Sequence, residues 1–296
     1  MKIIVRAPAK LNLGLDAIID SDEKTIQWNM VMTSITLCDY VSLEITNDHK
    51  ISVLSDSGFL PEDNHNLAYQ AAKIFFATSG IKSGVNIEIE KHIPVAAGLG
   101  GGSSDAAAVL RGLNQIFKTG YSLEKLALMG LKIDADVPYC VYGKTAHMTG
   151  KGEIIKPLGS LPSMWLVLAK PNISVSTPRV VRQLFKQEVD HPDIDALLDA
   201  VRKGSLQGIV NNLGNSLETI TSTRNRQVQI IKERLVKYGA DGALMTGSGP
   251  TVFGICRQQS RAKRVYNSIS GFCDEVYLVQ IMKGTFGYNP KESLTL

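Results

Sequence analysis

The chain has 296 residues, 44% of them hydrophobic and 20% charged, a globular composition that argues against a mostly disordered protein. The formal net charge is only +4 and the basic residues are spread along the sequence, so no stripe for nucleic acid or a membrane surface stands out, although the bias suits an anionic ligand. Cys38, Cys140, Cys256 and Cys273 lie far apart with no Cys-x-x-Cys pair, which speaks against a zinc site or a disulfide framework and predicts reduced thiols.

Met1 to Arg6 runs straight into an alternating pattern, without the basic segment and apolar core of a signal peptide. No apolar run approaches the length of a bilayer span, so the expected location is the cytoplasm. Ile3 and Val5, then Leu11, Leu13 and Leu15, alternate at period two. Ala7-Pro8-Ala9 between them predicts two strand segments with a break that exposes Lys10. Segments 35–45 and 85–91 read as strands from Val41, Leu43, Ile45 and Val85, Ile87, Ile89. Leu67, Ala71, Ile74 and Phe75 share one face and predict a helix over about 66–78, ended by Gly80.

Pro94 to Gly102 is a loop of small residues, and Ser103-Ser104-Asp105 leads into a helix that Val109, Leu110, Leu113 and Ile116 carry to Phe117. Ser122 caps a further helix to about Gly130. Pro138 then forces Asp134-Ala135-Asp136-Val137 out of the helical conformation, which leaves Asp136 at a turn. Pro157, Gly159, Ser160, Pro162 and Ser163 read as a junction between domains over 1–158 and 159–283. Beyond it come a strand at 165–169, a helix over about 224–238 and the turn Gly247-Ser248-Gly249-Pro250. A strand at 251–256, a helix over about 259–270 and a strand at 275–282 then close a small α+β sandwich. Residues 284–296 lack periodicity and read as a frayed tail.

The glycine loop carries the chemistry. Gly98-Leu99-Gly100-Gly101-Gly102-Ser103-Ser104 lets backbone amides approach an anion closely, and the helix that follows adds unpaired amides and the positive end of its dipole. Phosphate is the natural guest. A Walker loop would need Lys after its last glycine, and a dinucleotide fingerprint would need glycine where Ser103 stands. Glycines that only turn the chain are the plainer alternative, and Ser103, Ser104 or Asp105 can act as a helix cap beside the phosphate. Taken singly, Lys10 reads as a solvated lysine and Asp136 as a turn residue; together a Lys and an Asp suit transfer of a phosphoryl group to an alcohol.

Four stretches in order resemble the motifs of the GHMP kinase family: Ala7-Pro8-Ala9-Lys10-Leu11-Asn12-Leu13, Pro94 through Ala107, Ala135-Asp136-Val137-Pro138, and Gly247-Ser248-Gly249-Pro250-Thr251-Val252-Phe253. The match runs from about residue 4 to residue 283. It implies an α+β architecture in two domains, the first ribosomal-protein-S5-domain-2-like with a left-handed β-α-β unit and the second ferredoxin-like, with the site in the cleft between them. It also implies an ATP-dependent small-molecule kinase. In the branch that this chain resembles, the acceptor is the 2-hydroxyl of 4-diphosphocytidyl-2-C-methyl-D-erythritol, a step of non-mevalonate isoprenoid precursor synthesis.

The resemblance implies roles residue by residue. Asp136 is the base or orienting carboxylate, and Lys10 holds the hydroxyl and lowers its pKa. Pro94, Val95, Ala96, Ala97, Gly98, Leu99, Gly100, Gly101, Gly102, Ser103 and Ser104 wrap the triphosphate; Asn66 and Leu67 lie near the adenine with Lys91 close by. Asn12, Thr177, Gly247, Ser248 and Gly249 fall on the substrate side. Mg2+ travels with ATP and the sequence names no protein ligand for it. The expected partners are ATP and a small alcohol, with no nucleic acid or membrane, in a monomer or homodimer. One segment departs from the family. Where an Asp-Gly-Tyr-His run holds the cytosine, equal-length alignment through Asp16 and Asp39 places Glu23-Lys24-Thr25-Ile26, which has neither ring. Trp28, two positions on, is either a replacement ring or an indole packed in the core. A kinase shifted to another small alcohol, and a non-catalytic nucleotide-binding regulatory relative, therefore stand as alternatives.

Overall fold

The computed structural model describes residues 1–20, 25–58 and 60–283. Its framework is one long antiparallel pair, β1 (Lys2–Asp20) and β2 (Thr25–Thr46), in register from Lys2 opposite Glu44 to Asp20 opposite Thr25. Beyond β2 lie β4 (Gly84–Glu90) and, parallel to it, β3 (Ile51–Ser55), a strand too short and too polar to be read from alternation. β5 (Ala146–Gly150) pairs with the other end of β2 and carries β6 (Ile154–Pro157), while β8 (Gly214–Asn215) adds to the free edge of β1. Among the described residues this sheet has seven strands. A second, four-stranded sheet runs β11-β7-β10-β9, from β7 (Trp165–Lys170), β9 (Gly242–Met245), β10 (Val252–Cys256) and β11 (Glu275–Gln280). All its neighbours are antiparallel, the order of a ferredoxin-like β-α-β-β-α-β unit.

The period-two leucines of β1 do not all face one way. Val5 and Ala7 belong to the larger core cluster; Ala9, Leu11 and Leu13 belong to a second cluster with Leu166, Leu168, Phe253 and Ile255 of the other sheet; Leu15 and Ala17 return to the first. All seven positions are odd, so the strand changes faces only because its register shifts between Pro8 and Lys10 and again between Asn12 and Gly14. Pro8 sits at the first irregularity, on a stretch of β1 that pairs only with β2 among the described strands, where a missing amide is tolerated. The predicted break is therefore a bulge within a continuous strand. Lys10 is not exposed but 5% accessible, and with Asn12 it is turned to the side opposite the Leu11 and Leu13 side chains.

Helices α1 (Leu67–Ser79), α2 (Gly101–Phe117), α3 (Leu123–Leu131) and α4 (Val137–Tyr142) serve the first half. In the second half come α5 (Thr177–Leu184), α6 (Ile194–Arg202), α7 (Leu206–Asn211), α8 (Ser216–Arg224), α9 (Arg226–Lys237) and α10 (Gln259–Ile269). α1 is capped by Asn66, which accepts the Ala68 amide, and ends at left-handed Gly80. Around Asp136 the structure keeps the expected turn and corrects its extent: residues 134–136 leave the helix, with Asp136 as the N-cap of α4 (φ −86°, ψ −17°), whereas Val137 and Pro138 are helical, Pro138 lying in the first turn, where no intrahelical partner is lost. The two halves are joined by more than the linker. β8 pairs with Gly14 and Leu15, Ile35 bridges Ile281, and Thr246 Oγ1 accepts the Asn12 amide at 3.1 Å. All four cysteines are buried free thiols, and no described helix is long and apolar enough to cross a membrane. The tail after Lys283 lies outside the described residues, as do Glu23 and Lys24.

Candidate active site

A cleft of about 340 Å³ opens where the first turn of α2, the α4 turn, the face of β1 and β2, and the 247–248 turn converge. The glycine loop forms one wall. Gly98 and Gly100 hold φ of +75° and +66°, and a Cβ would stand 2.5 Å from the Thr246 carbonyl at the first and 2.8 Å from Lys10 Cγ at the second. Close approach on both sides, not turning alone, requires glycine there. The helix begins at Gly101, two residues before the expected start, so two glycines lie inside its first turn.

Ser104 N–H donates to the Gly100 carbonyl at 2.9 Å, so the amides of Gly101, Gly102 and Ser103 have no acceptor within the helix. Gly100, the N-cap, brings no side chain to them. None of the capping alternatives is realised: Ser103 Oγ donates to Asp134 Oδ1 at 2.8 Å, Ser104 Oγ donates to the Pro8 carbonyl at 2.8 Å, and Asp105 pairs with Lys91. Three open amides at the positive end of a 17-residue helix make an anion cradle.

Lys10 stands beside that cradle. Its backbone amide donates to the Leu99 carbonyl at 2.9 Å, and its Nζ lies 3.1 Å from both Asn12 Oδ1 and Asp136 Oδ2. The lysine side chain is 6% exposed and the aspartate 29%, so the ammonium is sealed behind a carboxylate that faces the cleft. This arrangement places a proton acceptor and a fixed positive charge next to an anion site, the requirement of phosphoryl transfer to a hydroxyl. From the second half, Thr177 and Ser248 share a hydrogen bond of 2.7 Å on the cleft wall. Asn215 Nδ2 donates to the Met245 and Gly247 carbonyls and so holds that turn against the loop.

Not every residue singled out by sequence meets the cleft directly. Pro94 through Gly98, Gly100 through Ser103, Leu67, Gly247 and Ser248 line it. Leu99 packs its side chain in the interdomain core, Ser104 and Asn12 are fully buried, Asn66 is occupied as the α1 cap and with the Pro61 carbonyl, and a Cβ on Gly249 would meet Met245. Lys91 reaches the wall, but its ammonium is held by Asp39 Oδ2 at 2.5 Å and Asp105 Oδ2 at 2.8 Å. Asp39 Oδ1 also accepts the His92 and Ile93 amides, which anchors the start of the loop. Burial pushes Asp105 up to about 7 against the pull of Lys91, and its Oδ1 has no hydrogen-bond partner. For Lys91, burial works downward but the two carboxylates outweigh it and leave its pKa raised. Sequence reasoning assigned no role to Asp39, Asp134, Asn215 or Thr246. Asp134 directly precedes the Ala135-Asp136-Val137-Pro138 motif, whereas nothing local marks Asp39 as a partner of residue 91.

Comparison with known proteins shows the family. The descriptions "GHMP kinases N terminal domain" and "GHMP kinases C terminal" match residues 66–144 and 191–275. A 4-diphosphocytidyl-2-C-methyl-D-erythritol kinase of Levilactobacillus brevis is 56% identical over 281 residues, covering 95% of this chain and 99% of that one. Its counterpart in Listeria monocytogenes is 50% identical over 280 residues, covering 95% and 96%. A crystal structure of 4-(cytidine 5'-diphospho)-2C-methyl-D-erythritol kinase superposes with a TM-score of 0.78 at 29% identity, over 96% of this chain and 100% of that one. Homoserine kinase from Cytophaga hutchinsonii shares the fold, with a TM-score of 0.78 at 19% identity over 95% of each chain. With the cradle, the Lys10–Asp136 pair and both domain matches in one cleft, the chain belongs to the GHMP kinase family.

Proposed function

We propose that this chain transfers the terminal phosphoryl group of ATP to the 2-hydroxyl of 4-diphosphocytidyl-2-C-methyl-D-erythritol, in the cytoplasm, as a step of non-mevalonate isoprenoid precursor synthesis. The observation that carries the reaction type is the Lys10–Asp136 pair set beside three open amides of α2 in one cleft. The acceptor rests on the names of relatives that are 50–56% identical over nearly the whole chain.

The amides of Gly101, Gly102 and Ser103 hold phosphate oxygens, and the helix dipole favours their charge. Asp136 orients the acceptor hydroxyl and takes its proton, while Lys10 stabilises the charge that develops on the oxygen as the proton leaves. Thr177 and Ser248 close the cleft from the second half. Mg2+ would enter with the nucleotide and would neutralise phosphate charge there.

Thr25 and Ile26 begin β2 without the rings that the family segment carries, yet the same strand supplies another surface. Leu15, Trp28, Met30 and Met148 all line the cleft, with Met30 opposite both Leu15 and Met148, and Trp28 opposite both Ala17 and Gly150. The indole is half-buried, packed partly against the core and partly on the cleft wall, so it combines the two alternatives. It offers the acceptor base a stacking face of the kind worth about a factor of ten or more in affinity. Purified protein is expected to consume ATP only when the cytidyl substrate is added. If that substrate neither binds nor stimulates turnover while ATP still binds, the acceptor assignment falls and a shifted or non-catalytic reading replaces it.

A further inference from the structure

Asp136 occupies the N-cap of α4, where an aspartate ordinarily turns its carboxylate back onto an amide of its own first turn. Pro138 has no amide, so Tyr139 N–H is the partner that capping would use. Asp136 makes no such bond, and its carboxylate goes to Lys10 instead. The turn is held two residues earlier. Asp134 Oδ1 accepts the Asp136 amide at 3.0 Å and, at 2.8 Å, the hydroxyl of Ser103 in the first turn of α2. The Asp134 carbonyl accepts the Val137 amide at 3.2 Å.

We propose that Asp134 is a positioning residue: by stabilising the turn with its own side chain it releases the Asp136 carboxylate for Lys10 and the cleft, and by binding Ser103 it ties that carboxylate to the head of the anion-binding helix. One oxygen thus relates the acceptor side of the site to the phosphate side. The role needs a hydrogen-bond acceptor, not a charge. An extra anion on the wall of a phosphate cleft opposes nucleotide binding, so the charge of Asp134 is a cost that the positioning outweighs. The proposal rests on the phosphoryl-transfer reading for its kinetic consequences, but its structural core does not.

The test uses Asp134→Asn, which keeps the acceptor oxygen and removes the charge, and Asp134→Ala, which removes both. Asn is expected to retain turnover within about threefold and to bind ATP at least as tightly as the parent. Ala is expected to lose about tenfold or more in kcat, with KM for ATP and the melting temperature little changed, as when an interaction that matters in the transition state is removed. In an Asp136→Asn background the further change Asp134→Ala should cost almost nothing, because Asp134 acts through Asp136. Parent-like turnover in Ala, an equal loss in Asn and Ala, or independent multiplication of the two losses would each overturn the proposal. A crystal structure of Asp134→Ala is the readout independent of activity: the Asp136 carboxylate should leave Lys10 for the Tyr139 amide, and finding it still on Lys10 refutes the release. If Asp136→Asn alone leaves turnover intact, the catalytic reading fails, while that structure still decides the role of Asp134.

Discussion

Two lysines pair with aspartates on either side of the head of α2, and they differ in what surrounds them. Lys10 meets one carboxylate that looks into the cleft, whereas Lys91 meets two, Asp39 and Asp105, that are closed off from water. Opposite charges at hydrogen-bond distance are common to both. In the open pair the carboxylate can exchange its partner for a substrate hydroxyl. In the sealed group every oxygen but one is committed, and burial opposes ionisation of Asp105. Exposure, more than residue type, separates a chemical site from a structural clamp.

Breaking the clamp should have the largest effect. Asp39→Ala strips the His92 and Ile93 amides of their acceptor and leaves Lys91 with one carboxylate; a loss of about 3–5 kcal/mol in urea unfolding is expected. A loss under about 1 kcal/mol would mean that the cluster does not secure the loop. In the open pair, Asp136→Asn should leave folding and ATP affinity nearly intact but lower kcat by about a hundredfold or more. Unchanged kcat would remove Asp136 from the chemistry.

Gly100→Ala probes the strip of backbone between the two groups. It puts a methyl at left-handed φ, at a cost of about 1–2 kcal/mol, and against Lys10 Cγ. Nucleotide affinity measured by calorimetry should fall by about tenfold, and normal ADP binding would show that the loop tolerates side chains there. The subtlest effect is in the clamp. Asp105 binds its proton more tightly when folded than when unfolded, so the stability this proton contributes is fully present below the ordinary value of 3.8 and is lost as pH rises to about 7. Asp105→Asn, which cannot ionise, should therefore gain in melting temperature relative to the parent as pH goes from 4 to 7.5. A pH-independent difference would place Asp105 outside this titration.

The helices were legible where apolar spacing and end signals agree, as at α1 with Asn66 and Gly80. The β1 alternation was legible too, but not its two changes of face, because the residues keep period two straight through both register shifts. Lys10 therefore read as exposed, while a partner 126 positions away in the chain covers it. The turn at Asp136 was legible from Pro138, but not that Val137 and Pro138 already belong to the next helix, because a proline in a first helical turn loses no hydrogen bond.

Residue order alone carried the glycine loop ahead of a helix, the two-part organisation and, through four motifs in order, the family, since motifs and period-two or helical spacing are local properties that survive without a partner. The tertiary structure decided which lysine's carboxylate partner looks into the cleft and which partners are closed off from water, and whether an aspartate caps its helix or reaches to a lysine on another element. Those outcomes depend on desolvation and on contacts between β1, β2, α2 and the α4 turn, which are distant in the chain and meet only when it folds.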